Sequence, residues 1–230
     1  MQNTESFDPA STMFPAMRIR VCSNNLLGVN LTDDEVAAMH YCWSHDAYQQ
    51  LVEEISIWKL WHGGCHSVAE EPEKSPTFCS IVEKVCSVFQ LDPSKICKRI
   101  NRYQGDSDWK PIHQDAAAFN PALAASQNVS IVVSFGRERE ITLMNSKDRI
   151  QINFRQSSGM LLSFGRDVNM HWKHGVSAAL EGESGSHGRM YIAIWVILCV
   201  VVTLAALQWH RLIALHLHMT YAATPPAPKS

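Results

Sequence analysis

The sequence predicts an α+β domain. Three observations predict it. Helical apolar spacing dominates the first third of the chain, short β-branched runs crowd residues 95–195, and Gly, Asn, Ser and Asp separate those runs. The 230 residues are 46% hydrophobic and 18% charged, enough for a sizeable core and unlike a disordered chain. Three regions follow: a helical extension over 1–94, a β-rich domain over 95–195, and an apolar segment with a polar tail over 196–230.

Residues 1–30 show little periodicity and read as an extended lead-in. Thr32 to Glu35, TDDE, reads as a capping box. Val36, Met39, Trp43, Ala47 and Leu51 then recur at helical spacing, so a helix is expected from about Asp33 to Ile55, broken near His45. Trp58, Trp61 and the His62–Gly64 turn suggest an aromatic anchor, and Glu70 to Pro76 a surface loop. Ser75-Pro76 opens a second helix with Pro at its first position. Ile81, Val82, Val85, Val88 and Phe89 share one face of it, and Asp92-Pro93 ends it.

Strands are expected at Lys95–Gln104, Val129–Phe135, Glu140–Met144, Arg149–Phe154, Met160–Phe164 and Gly188–Trp195. Short strands at this spacing indicate a sandwich or barrel. Met190 to Leu207 runs 18 residues without a charge, the lower edge of a transmembrane length. If its first six residues form a strand, too few remain to span comfortably. Three readings stay open: a strand with an apolar tail, a C-terminal membrane anchor, and a last segment that is not native sequence. TPPAPKS reads as a disordered tail.

Net charge is −2, unevenly spread. Residues 1–94 carry 5 basic and 13 acidic side chains; residues 95–175 carry 12 basic and 7 acidic. The basic stretch suits an anionic cosubstrate or a polyanionic substrate, or is a solvated surface. The seven cysteines form no CxxC pair, and the start MQNTESFDPA lacks the pattern of a secretory leader. Both favour a reducing, intracellular compartment, cytoplasmic or nuclear, with free thiols; the spacing gives structural zinc no support.

The chemistry concentrates in NRYQGDSDWKPIHQDAAAF, residues 101–119. His113 and Asp115 are two apart, and on a strand such residues share a face. His174, in KHGV, supplies a third ligand; His171, three residues earlier, competes for that place. Two histidines and one carboxylate with open positions are the facial triad of non-haem Fe(II) oxygenases. Arg189, 15 residues after His174, opens the next expected strand and can present a bidentate cation to a carboxylate.

Asn101-x-Tyr103, His113-x-Asp115, NVSIVVSFGRERE, SSGMLLSFG, His174-Gly-Val and Arg189-x-Tyr191 follow one another from about Lys95 to Trp195. This ordered set resembles the AlkB-like family of Fe(II)/2-oxoglutarate dioxygenases. The resemblance implies a double-stranded β-helix, or jelly roll, with N-terminal helices packed on it. It implies iron ligation by His113, Asp115 and His174. It implies that Asn101 and Tyr103 hydrogen-bond 2-oxoglutarate, that Arg189 pairs with its distal carboxylate, and that Tyr191 adds a polar contact. The implied activity uses dioxygen to hydroxylate a C–H bond, often an N-methyl group on a base of DNA or RNA, releasing formaldehyde.

Trp109 shapes the site entrance, stacks on a base, or is a plain buried aromatic. Arg137 lies either near the site mouth or in a solvated hairpin. Members of the family usually carry a second Arg six residues after the first. Here Trp195 holds that place, so Arg166 or Arg155 would have to supply the cation. That departure is compatible with a weakened enzyme. A hydroxylase of protein or small molecules, a membrane-tethered hydroxylase of lipid or protein, and a catalytically silent binding module are the rival expectations.

Overall fold

The computed structural model describes residues 18–22, 31, 33–40, 43, 46–61, 65–120, 127–178 and 188–197. The chain divides into two compact units, Met1–Ile197 and Leu198–Ser230, and every described residue belongs to the first.

Twelve strands are described: β1 (Arg18–Cys22), β2 (Glu35–His40), β3 (Trp58–Trp61), β4 (His66–Ala69), β5 (Ile96–Tyr103), β6 (Lys110–His113), β7 (Gln127–Gly136), β8 (Arg139–Asn145), β9 (Gln151–Gln156), β10 (Met160–Gly165), β11 (Trp172–Val176) and β12 (Arg189–Ile197). The helices are α1 (Ala47–Glu54), α2 (Pro76–Phe89) and α3 (Arg166–His171). An eight-stranded sheet runs β1-β2-β10-β7-β12-β5-β4-β3, and a four-stranded sheet runs β6-β11-β8-β9. Pairing is antiparallel throughout except between β1 and β2.

Alternation builds the layers. Tyr103, Val132, Leu162, Phe164, Tyr191 and Ala193 of the large sheet join Ile141, Leu143, Trp172 and Val176 of the small one in a single buried cluster. The two sheets therefore face each other across this core. The residues between them in sequence, such as Ile131, Val133, Phe135, Ile192 and Ile194, are buried on the opposite face of the large sheet. Tyr48 of α1 lies against Gly136 of β7, and Lys98 of β5 stands over the Phe78 ring of α2. Ser75 caps α2 as its spacing predicts: its Oγ accepts the Phe78 N–H at 3.0 Å. Gln90, in the left-handed region at φ 53°, closes the helix ahead of Asp92-Pro93.

The N-terminal region corrects the reading of the sequence. Among the described residues of the expected 33–55 helix, Ala47–Glu54 alone is helical; Glu35–His40 is a strand between β1 and β10. Its Ala-rich run favours a helix locally, but Val36 to Ala38 are fully buried in the sheet, and that packing prevails. Asp33 does not open a helix of its own. Its carbonyl accepts the Asp167 and Val168 N–H groups of α3, and its carboxylate pairs with Arg166. Trp58 and Trp61 belong to the β3–β4 hairpin, and four strands of the large sheet come from residues 1–94. Each expected strand between 95 and 195 is present, together with β6 and β11. Met190–Ile197 is strand, not the start of a helix. Among the described residues no helix is long and apolar enough to cross a membrane.

Candidate metal centre

His113 closes β6, and His174 lies directly across from it on β11. Asp115 stands just past the end of β6, still extended at φ −66° and ψ 155°, before a 3-10 turn over Ala116–Phe119. The strand spacing of His113 and Asp115 thus survives although the strand has ended. Asp115 Oδ1 lies 3.6 Å from His174 Nε2 and 3.8 Å from His113 Nε2. Two bonds of about 2.1 Å meeting at a right angle span about 3.0 Å, so the rings need close by less than about 1 Å to grip one ion. Among the described residues this is the one group of three or more His, Cys, Asp or Glu side chains placed to hold a metal.

The pairing of β6 with β11 explains the Gly of the His-Gly-Val motif. His174 pairs with His113 and Val176 with Lys110, so β6 carries one extra residue over that interval. Across this bulge a Cβ on Gly175 would meet the Lys110 carbonyl oxygen at 2.7 Å and the Ile112 nitrogen at 3.0 Å. Only Gly lets the two strands close enough to face their histidines.

Hydrogen bonds fix each ligand. His113 Nδ1 lies 2.8 Å from the Pro111 carbonyl; donating there leaves Nε2 as a lone pair toward Asp115. Asp115 Oδ2 accepts the Trp195 indole N–H at 2.7 Å and the Ser130 hydroxyl at 3.2 Å, leaving Oδ1 to the histidines. The Asp115 N–H donates to Asn169 Oδ1, and Gln114 Nε2 to the Asn169 and Met170 carbonyls, which ties the ligand loop to α3. The Phe164 ring packs 5.1 Å from His174.

Burial, with lesser help from Lys110, lowers the pKa of His113. Burial pushes His174 down to about 3 against the pull of Asp115. Burial would raise the Asp115 carboxyl, but His174, the Trp195 hydrogen bond, Lys110 and His113 together hold it below its usual range. Two neutral imidazoles and one carboxylate are the protonation states a divalent metal requires.

The expected cosubstrate residues share one patch of the large sheet. Across the β5–β12 ladder Arg189 pairs with Tyr103 and Tyr191 with Asn101, and all four side chains are buried. Arg189 is fully buried; its Nη2 donates to Ser134 Oγ at 2.8 Å and Gln156 Oε1 at 3.0 Å. Its Nε and Nη1, both amide atoms of Asn101 and the Tyr103 hydroxyl have no partner among the described residues. No carboxylate there lies within ion-pair distance of Arg189, and burial pushes its pKa down to about 10. A buried, unpaired guanidinium beside orphaned amide and hydroxyl groups is costly without an anion to fill the space. Burial raises the Tyr103 and Tyr191 hydroxyl pKa values, so both remain neutral donors. Tyr103 is held by a stacked His66 ring at 5.4 Å.

Other expected residues lie elsewhere. His171 ends α3, is exposed, and its Nδ1 meets the Asp167 carbonyl at 2.9 Å, so it is no rival to His174. Arg137 pairs with Asp106, and Arg139 donates to the Gly105 and Asp108 carbonyls; both pin the 104–109 loop. Trp109, in that loop, is 45% exposed rather than buried. Arg166 pairs with Asp33 and Asp167, and Arg155 with Glu138, so neither supplies the second cation that the family resemblance leads one to expect. Sequence reasoning missed the roles of Ser130, Ser134, Gln156 and Lys110. Trp195 was legible as a residue on the Arg189 face, six positions on, but not as a donor to Asp115.

A narrow cleft is lined by Lys110, Asp115, Val132, Phe164, His174 and Trp195, among others, so two of the three candidate ligands border it. Comparison with protein-family profiles and with curated proteins finds no match for the chain.

Proposed function

We propose that this chain is an Fe(II)/2-oxoglutarate-dependent dioxygenase of the AlkB-like kind, acting on an N-alkylated nucleobase in DNA or RNA. One observation carries the reading: His113, Asp115 and His174 converge to within metal-binding reach, and the same chain holds a fully buried Arg189 with no anion to pair with among the described residues. The strand order also supports a double-stranded β-helix. Strands β5, β7, β10 and β12 lie in one sheet, and β6, β8, β9 and β11 in the other. The donor set fits Fe(II), which takes imidazole and carboxylate and keeps open positions.

Iron bound there with 2-oxoglutarate and dioxygen supplies the oxidant for C–H hydroxylation. The chain's own residues do the rest. Trp195 and Ser130 hold the Asp115 carboxylate in one orientation. Arg189 binds the distal carboxylate of the cosubstrate through its unpartnered N–H groups, and Asn101 and Tyr103 hydrogen-bond its oxygens. Phe164, Val132 and Ala193 keep bulk water from the cleft. Trp109 and Phe119, 45% and 73% exposed, offer stacking faces to an unpaired base on either side of the ligand segment.

A succinate-coupled screen on methylated DNA, methylated RNA and methylated histone peptides tests the proposal. Succinate and formaldehyde should appear with a methylated nucleic acid and vanish in His113→Ala. Turnover with the peptide alone would overturn the nucleobase assignment. No succinate with any substrate would overturn the enzyme.

A further inference from the structure

We propose that Lys110 binds the metal-end carboxylate of the 2-oxo acid, the task for which Trp195 has replaced an Arg; this rests on the function proposed above. Lys110 is half-buried in the cleft wall with Asp115, His174 and Trp195. Normal strand alternation would turn it away from His113, three positions on. The bulge between the Val176–Lys110 and His174–His113 pairs brings both to the inner face.

Its ammonium lies 5.9 Å from the centre of the Tyr191 ring. No carboxylate lies within ion-pair distance of it among the described residues, and no hydrogen bond from it is formed there. The nearest anion, Asp115, already gives Oδ2 to Trp195 and Ser130 and turns Oδ1 to the histidines. A cation beside a metal site opposes the metal unless an anion joins them. Asp115 supplies one negative charge against a divalent ion, the Lys110 ammonium and the Arg189 guanidinium. A dianion whose two ends meet Arg189 and the metal–Lys110 pair offsets most of that excess positive charge. The Lys110 ammonium faces the Tyr191 ring, and Arg189 stands two positions before Tyr191 on the same face of β12, so a dicarboxylate lying along that face would have a cation at each end.

Calorimetry on the full chain loaded with redox-inert Mn(II) separates the two ends. Oxalate probes the metal end alone, and 2-oxoglutarate probes both. Lys110→Met should weaken oxalate and 2-oxoglutarate alike, on the order of tenfold or more, the worth of a charge-assisted hydrogen bond. It should bind Mn(II) alone at least as tightly as wild type, because a positive charge has gone. Lys110→Arg should restore most of the oxalate affinity. Arg189→Met should weaken 2-oxoglutarate and leave oxalate unchanged. Oxalate bound by Lys110→Met within twofold of wild type, or a tenfold loss of Mn(II) affinity, would overturn the role of Lys110. A Mn(II)-loaded wild type that binds neither acid would overturn the functional reading itself, and the Lys110 assignment with it.

Discussion

Replacing Trp195 by Phe removes the indole N–H, its hydrogen bond and the ring atoms that carry it, while keeping an aromatic ring in place. The indole N–H donates to Asp115 Oδ2 at 2.7 Å, a short bond to an ionised acceptor. The other face of the role is preserved: the Arg99 guanidinium sits 5.7 Å from the Trp195 ring, and Phe can still carry it. A hydrogen bond to a charged group contributes about 1.5–3 kcal/mol. The Ser130 hydroxyl still holds Oδ2 at 3.2 Å, which points to the lower half of that range. The metal-ligand carboxylate is then less firmly oriented, and Mn(II) or Co(II) affinity should fall about 10- to 30-fold. Competition against a chelating indicator measures it, with thermal denaturation as the control for folding. A well-folded Trp195→Phe that binds metal within twofold of wild type would show that the indole N–H does not orient the ligand. Trp195 would then be a space filler that happens to touch Asp115.

Two other outcomes follow from the same site. His174 sits at about 3 in the folded protein against 6.5 when free, so the unfolded chain binds the extra proton between those values. Metal-free stability is therefore full above pH 6.5 and falls as pH drops toward 3; His113 and Asp115, both lowered, act in the same direction. From pH 7 to pH 5 His174 alone removes about 2 kcal/mol. Urea titrations at the two pH values measure this, and a His174→Gln variant should show a clearly shallower loss; equal slopes would contradict it. Gly175→Ala should push β6 off β11, cost about 2 kcal/mol of stability and weaken metal binding at least tenfold. Unchanged melting and metal affinity would show that the strands can part without moving the histidines.

The sequence carried the β-rich half well because strands such as Arg139–Asn145 and Met160–Gly165 bring clear apolar runs between turn residues. The strand pairs Asn101/Tyr103 and Arg189/Tyr191 were legible for the same reason: residues two apart on regular strands share a face. Lys110 was not, because a bulge set by the β6–β11 pairing inverts the face, and nothing local announces it. Strand β2 was misread because Glu, Ala and Met favour a helix and only its neighbours β1 and β10 hold it extended. The six residues of α3 are too few for a periodic signal, yet this turn anchors the Asp115 loop. Trp195 was visible as standing where the resemblance leads one to expect an Arg. Its gain, a donor aimed at Asp115, depends on the antiparallel stacking of Ser130 on Trp195 across β7 and β12.

The most direct measurement is an anaerobic titration of the protein with Fe(II) followed by 2-oxoglutarate, monitored in the visible. A weak metal-to-ligand charge-transfer band should appear and saturate at one equivalent of each; it should be absent in His113→Ala and markedly shifted to higher 2-oxoglutarate concentration in Arg189→Met. A wild-type protein that binds Fe(II) without developing the band, or develops it undiminished in His113→Ala, would contradict the central claim.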